Sequence, residues 1–165
     1  MKRLVLVRHA KTEHHNYDRD FTRKLTSRGK SDAEIIAGQL MHKGISPDYF
    51  ICSPATRARQ TAHIYADILG FPKEKIEEQQ FLYDGYTTTD FLDFISTTDN
   101  NYKTLFVVAH NPDIAMLATT LSDENFYHFP TAATVVIDFD IDMWERLDPR
   151  EGKVHLFLYP RIFKD

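Results

Sequence analysis

Leu4-Val5-Leu6-Val7-Arg8-His9 decides how the rest of the chain is read. Four consecutive apolar residues, two of them β-branched, describe a short strand buried on both faces of a parallel sheet. The strand then delivers an arginine and a histidine at its C-terminal end, the end at which open α/β sheets bind ligands. The pattern recurs twice. Tyr49-Phe50-Ile51-Cys52 runs into Ser53-Pro54-Ala55-Thr56-Arg57, and Thr104-Leu105-Phe106-Val107-Val108-Ala109 runs into His110-Asn111-Pro112. Three apolar strands that end in two arginines and two histidines predict a convergent anion site.

Working outward, the 165 residues fit one domain over 1–165, with 42% apolar and 27% charged residues typical of a soluble globular protein. A net charge of −4 argues against a general nucleic-acid binder, which carries a basic surplus. The lone cysteine, Cys52, excludes an intramolecular disulfide and reads as a small buried residue at a strand end. The apolar run after Lys2-Arg3 is too short for a signal peptide, and no stretch approaches a membrane span. A cytoplasmic monomer without a membrane partner is therefore expected.

Between the site-bearing strands, residues 10–24 read as a loop, long enough to suggest a functional role. His14-His15 lacks a third ligand at a recognisable spacing and reads as a solvated pair rather than a metal site. Ala33, Ile36, Ala37 and Leu40 then mark a helix capped by Thr26 or Ser27 and stopped by Gly44. Ser53-Pro54 reads as an N-cap with proline at the first helical position, which places Arg57 in or just past the first turn; Arg59 is expected in solvent. Residues 76–82 suggest a short strand with a loop, and Tyr83-Asp84-Gly85-Tyr86 a turn. Thr89 is expected to cap a short helix, and Asn111-Pro112 to repeat the cap-then-proline device. From Thr131 the pattern alternates: Val135, Ile137, Phe139 and Ile141 share one face, and Asp138, Asp140 and Asp142 an exposed other face. The last two strands, ending at residues 154–159, should pair antiparallel.

A phosphoryl group at the three strand ends would receive forked, charge-assisted hydrogen bonds from Arg8 and Arg57. Nearby guanidiniums disfavour the imidazolium, so His9 can present a neutral, nucleophilic nitrogen. The residues thus suggest in-line attack by His9 on phosphorus, giving a phosphohistidine that water hydrolyses while His110 and both arginines hold the oxygens. Side chains supply the cations, so neither a metal nor another cofactor is expected.

Arg8-His9, Ser53-Pro54 with Arg57 and Gln60-Thr61, and His110-Asn111-Pro112, in that order, resemble the histidine phosphatase, or phosphoglycerate mutase-like, superfamily. Within it, the small size and Asp20-x-x-Arg23-x-Leu25-Thr26-x-x-Gly29 resemble the SixA-type phosphohistidine phosphatases. The resemblance implies an α/β fold, a three-layer α/β/α sandwich whose mostly parallel central sheet has an antiparallel C-terminal edge. It implies that His9 is the nucleophile, that Arg8, Arg57 and His110 form the phosphate pocket with Asn111 beside them, and that Arg23 contacts substrate. Two positions depart from the family pattern: Ala10 stands where glycine is usual, which should be tolerated, and Lys24 where proline is common.

Larger members use a carboxylic acid to protonate the leaving group. Asp84 is the best positional candidate for that general acid, and Asp20 the second. An alkoxide leaving group needs such an acid badly, whereas imidazole departs as a modest base. Phosphohistidine on a protein, such as a histidine phosphotransfer domain, is therefore the favoured substrate. A small phosphomonoester (a sugar or nucleotide phosphate) and a non-catalytic phosphate-binding module are the alternatives.

Overall fold

The computed structural model describes residues 1–14 and 17–164. In chain order its elements are β1 (Lys2–Arg8), a 3₁₀ turn (Tyr17–Thr22), α1 (Ser27–His42), β2 (Tyr49–Cys52), α2 (Thr56–Leu69), β3 (Glu77–Glu78), α3 (Phe81–Asp84), α4 (Thr88–Ile95), β4 (Thr104–Ala109), α5 (Asp113–Leu121), β5 (Thr134–Phe139) and β6 (Lys153–Leu158). The strands form one sheet in the order β3-β2-β4-β1-β5-β6. The first four run parallel, while β5 is antiparallel to both β1 and β6.

Each central strand is apolar on both sides because helices cover both sides. Leu4, Leu6, Leu105, Val107, Val135 and Ile137 pack under α4 and α5, against Phe91, Ile95, Ile114 and Leu117. Val5, Val7, Phe50, Phe106, Val108 and Val136 pack under α1 and α2, against Ala33, Ile36, Ala58 and Tyr65. The result is the expected α/β/α sandwich. None of its described helices is long and apolar enough to cross a membrane.

Several local readings need correction. α2 begins at Thr56 with Ala55 in the cap position, because the Ser53 hydroxyl instead accepts from the Ala55 amide at 3.2 Å. α5 likewise starts at Asp113, after a cis Asn111-Pro112 bond, while the Asn111 side-chain amide donates to the Phe129 carbonyl at 3.0 Å. The cap of α4 is Thr87, which forms a reciprocal capping box with Asp90, rather than Thr89. Tyr83 and Asp84 close the short helix α3 instead of opening a turn, and Gly85 comes next with φ 107°.

β5 is an interior strand that stops at Phe139, so Asp140 and Asp142 lie beyond it. Only Asp138 is on the strand, ion-paired to Arg3 at 2.6 Å, while Val136 fills the face expected to be exposed. Within the expected 10–24 loop, Thr12 bridges to Leu25 and residues 17–22 form the 3₁₀ turn; His15 and Asn16 lie outside the described residues.

Candidate active site

Parallel pairing brings the strand ends level. β1 and β4 are in register at Arg8–Ala109, and the His9 amide donates to the Ala109 carbonyl at 3.0 Å. β2 meets β4 at Cys52–Val108, and the Ser53 amide continues the ladder to the Val108 carbonyl. His9 and His110 therefore leave adjacent strands side by side, their ring centroids 5.2 Å apart. The first turn of α2, entered directly from β2, adds Arg57, which is 6% exposed.

The His9 ring has one available tautomer. Its Nδ1 lies 2.8 Å from the Ala10 carbonyl, which can only accept, so Nδ1 carries the proton and Nε2 keeps its lone pair. Ala10 is held in turn: its amide donates to Thr61 Oγ1 at 3.0 Å, and that hydroxyl donates to the Arg57 carbonyl at 2.8 Å. Burial pushes the His9 pKa down, the Ala10 carbonyl opposes, and His110, Arg57 and Arg8 push it down further, to about 3. Ala10 is fully buried and is not among the residues with positive φ, so the backbone here does not require glycine.

His110 is neutral for the same reason. Burial, then Arg57, lower its pKa against the opposing carboxylate of Asp20, to about 4. Its Nε2 lies 2.7 Å from the Ser53 hydroxyl. The same hydroxyl accepts from the Ala55 amide, so Ser53 links the start of the α2 segment to the His110 ring. The Nδ1 of His110 is buried without a hydrogen-bond partner.

Three guanidiniums share one arrangement. Arg8 donates through Nη1 to the Phe129 carbonyl at 3.0 Å, and Arg57 through Nη1 to the Asp20 carbonyl at 2.7 Å. Arg23 donates through Nη1 to Thr12 Oγ1 at 2.8 Å. In all three Nε is buried and unpartnered. Buried polar groups are nearly always satisfied, so these nitrogens and His110 Nδ1 are candidate contacts for a bound group.

Asp20 ties this cluster together. Its Oδ2 accepts from Arg57 Nη2 at 3.3 Å and from the Tyr83 hydroxyl at 2.9 Å, and its Oδ1 from Arg23 Nη2 at 3.2 Å. Burial would raise the Asp20 carboxyl, but the Tyr83 hydrogen bond and the two arginines outweigh it and hold it below its ordinary value. The Asp20 carboxylate is thus engaged by Arg57, Arg23 and Tyr83 inside the cluster.

The site opens into a cleft of about 480 Å³ lined by Asp20, Arg57, Tyr83, His110 and Asn111, with Asp84 and Asp113 beside them. Asp84 is exposed and accepts from the Gln80 side-chain amide at 3.0 Å. Arg59 lies outside this cluster, 4.0 Å from Glu78. Among the described residues no group of three or more histidines, cysteines, aspartates or glutamates could hold a metal ion. Cys52 is buried, as expected, and burial pushes its thiol up to about 12.

Sequence reasoning missed five contributors: the Ser53 hydroxyl on His110, the Thr61 hydroxyl under Ala10, the Phe129 carbonyl shared by Arg8 and Asn111, Tyr83 on Asp20, and Asp113 in the cleft. Ser53 and Thr61 lie inside recognisable motifs, so their positions carry a signal. The Phe129 carbonyl carries no side-chain signal at all.

The sequence profile of the histidine phosphatase superfamily (branch 1) matches residues 4–82. An uncharacterised Mycobacterium tuberculosis protein is 35% identical over 117 residues, covering 70% of each chain. Among solved structures, that of the protein histidine phosphatase SixA complexed with tungstate superposes with a TM-score of 0.84 at 22% identity, covering 98% of this chain and 99% of that one. A mycobacterial glucosyl-3-phosphoglycerate phosphatase shares the fold more loosely, with a TM-score of 0.66 at 15% identity over 97% and 99% of the two chains. The chain belongs to the histidine phosphatase superfamily and has its SixA-type fold.

Proposed function

We propose that the protein is a phosphatase that works through a phosphohistidine at His9 and acts on phosphohistidine carried by another protein. The observation that carries this reading is the His9 ring: buried, neutral, with Nδ1–H fixed on the Ala10 carbonyl and the Nε2 lone pair left for chemistry. In this reading the phosphoryl oxygens accept from Arg8, Arg57 and Arg23 and from His110 Nδ1–H. His9 Nε2 attacks phosphorus in line as the bond to the substrate's ring nitrogen breaks. The substrate's ring carries a proton on its other nitrogen as the P–N bond breaks, so it departs as neutral imidazole. A water then attacks the His9-bound phosphorus, inorganic phosphate leaves, and Nε2 regains its lone pair. Asn111 acts from beside Arg8, on the same Phe129 carbonyl.

The leaving group is what favours a phosphoramidate substrate. A ring nitrogen with a conjugate-acid pKa near 6.5 needs little protonation, whereas an alkoxide gains about 10²–10⁴-fold from a general acid. The carrier in this reading is a protein domain such as a histidine phosphotransfer domain. A second reading, hydrolysis of a small phosphomonoester, is favoured by Asp84 and Asp113, either of which could protonate an ester oxygen from the cleft wall.

The test offers a phosphohistidine protein, para-nitrophenyl phosphate and a panel of sugar and nucleotide phosphates to the wild type and to His9→Ala. Preferential, His9-dependent hydrolysis of the phosphoramidate is expected. Efficient turnover of one ester that drops on Asp84→Asn would establish the second reading instead. Phosphate binding without turnover, unchanged by His9→Ala, would leave a binding module.

A further inference from the structure

We propose that Asp20 is a positioning residue: it holds Arg57 and Arg23 by their outer ends and so aims the side edges of both guanidiniums at the phosphoryl seat. The inference rests on reading the cleft as a phosphoryl site, and it deepens that reading by assigning the residue that organises the arginines.

A guanidinium grips an oxyanion most specifically with two parallel N–H groups, either the two Nη ends or the Nε–Nη2 side edge. Arg57 commits its end to one residue: Nη1 to the Asp20 carbonyl at 2.7 Å and Nη2 to Asp20 Oδ2 at 3.3 Å. Arg23 commits its end to Thr12 and to Asp20 Oδ1. What each keeps is the side edge, whose Nε is buried and unpartnered. One carboxylate, with one oxygen per arginine, thereby couples a helix side chain to a loop side chain. Tyr83, from α3, donates to Oδ2 at 2.9 Å and fixes the carboxylate between them. Its ring meets His110 edge-on at 5.8 Å, so the same side chain also touches the opposite wall.

This role makes a prediction opposite in sign to simple electrostatics. A negative charge beside two site arginines should repel phosphate, so its removal should tighten anion binding if charge alone mattered. If Asp20 instead orients the guanidiniums, Asp20→Asn leaves their side edges free to wander and weakens binding even though the site becomes more positive. Misplacement of a positioning group by about 1 Å is enough for large losses in rate.

The experiment measures inhibition of the wild type by inorganic phosphate and its direct binding by calorimetry, then repeats both on Asp20→Asn and Tyr83→Phe, with unfolding midpoints for each. Asp20→Asn is expected to raise the phosphate inhibition constant by about tenfold and to lower kcat/KM by at least that factor. Tyr83→Phe, which removes one bond and no charge, is expected to move both in the same direction by about threefold. An unchanged or lower inhibition constant in a folded Asp20→Asn protein overturns the proposal. If that variant does not fold, Tyr83→Phe decides: a shift supports the proposal and no shift overturns it. Failure of the wild type itself to bind phosphate overturns the phosphoryl seat, and the role of Asp20 with it.

Discussion

Lowering the pH from 7.5 to 5 should strip the protein of a large part of its stability through two site histidines. His9 and His110 are held neutral, with pKa values of about 3 and about 4 against 6.5 for a free imidazole. Between those values and 6.5 the unfolded chain binds protons that the folded chain refuses, so stability falls as pH drops through this window and is whole above it. At pH 5 each ring sits about 1.5 pH units below its unfolded pKa while remaining neutral in the fold, which amounts to about 2 kcal/mol apiece. His110 is half-buried and its share is discounted for solvent screening, so the pair should remove about 3 kcal/mol. That compares with about 5–15 kcal/mol for a whole domain.

The window isolates these groups from Asp20, whose depressed pKa withdraws stability only below its ordinary carboxylate range. His63, also lowered, contributes in both proteins compared and cancels. The assay is urea unfolding at the two pH values, followed by fluorescence of Trp144, the sole tryptophan and fully buried. The comparison is between the wild type and His9→Gln/His110→Gln. The wild type should lose about 3 kcal/mol more than the double variant over this interval. Equal pH dependence in the two proteins would refute the assignment of buried neutral histidines.

Ser53→Ala removes the hydroxyl hydrogen-bonded to His110 Nε2; turnover should fall about tenfold, with a stability loss of about 1–3 kcal/mol, read by steady-state kinetics alongside the unfolding midpoint. Thr61→Val leaves the buried Ala10 amide without an acceptor, and the urea midpoint should report a loss of about 1–3 kcal/mol. Gly29→Ala would set a Cβ 2.1 Å from the Lys11 carbonyl oxygen, a contact with backbone that no rotamer relieves. A loss of about 3 kcal/mol in urea unfolding is expected, and a neutral result would contradict the packing of α1 on Lys11.

The strands, and the placement of Arg8, His9, Arg57 and His110 at or just past their ends, are legible because an apolar run bounded by polar residues leaves few readings open. Leu4–Val7, Phe50–Cys52 and Leu105–Ala109 are buried on both faces, and the residues that succeed each run necessarily land at the same edge of a parallel sheet. Caps are less legible because serine, asparagine and threonine bond equally well to neighbours outside the helix. Ser53 has the sequence context of a cap for α2, yet its hydroxyl serves the Ala55 amide and His110. Asn111 has that of a cap for α5, yet its amide reaches across to Phe129. In each case a tertiary partner near the site displaces the local one. β5 misleads for a different reason: alternating aspartates imitate an exposed face, but Val136 reverses the assignment within the strand and Asp140 lies past its end.

The spacing Asp20-x-x-Arg23-x-Leu25-Thr26-x-x-Gly29 has a mechanical explanation that sequence alone could not supply. The chain leaving β1 after His9 must return to start α1 without drifting from the site. Thr26 closes this loop: its amide donates to the Lys11 carbonyl at 3.0 Å, and its hydroxyl caps α1 by accepting from the Gly29 amide. Gly29 is required because the helix start lies directly on the Lys11 backbone, where any Cβ would collide. The Leu25 amide is fastened to Gln60 Oε1 at 2.8 Å, one residue before the Thr61 that supports Ala10. Arg23 and Asp20 then point back along the loop, to Thr12 and to Arg57. The motif is thus a brace that fixes both ends of the segment carrying His9, and its residues are spaced by what each must reach on β1 and α2.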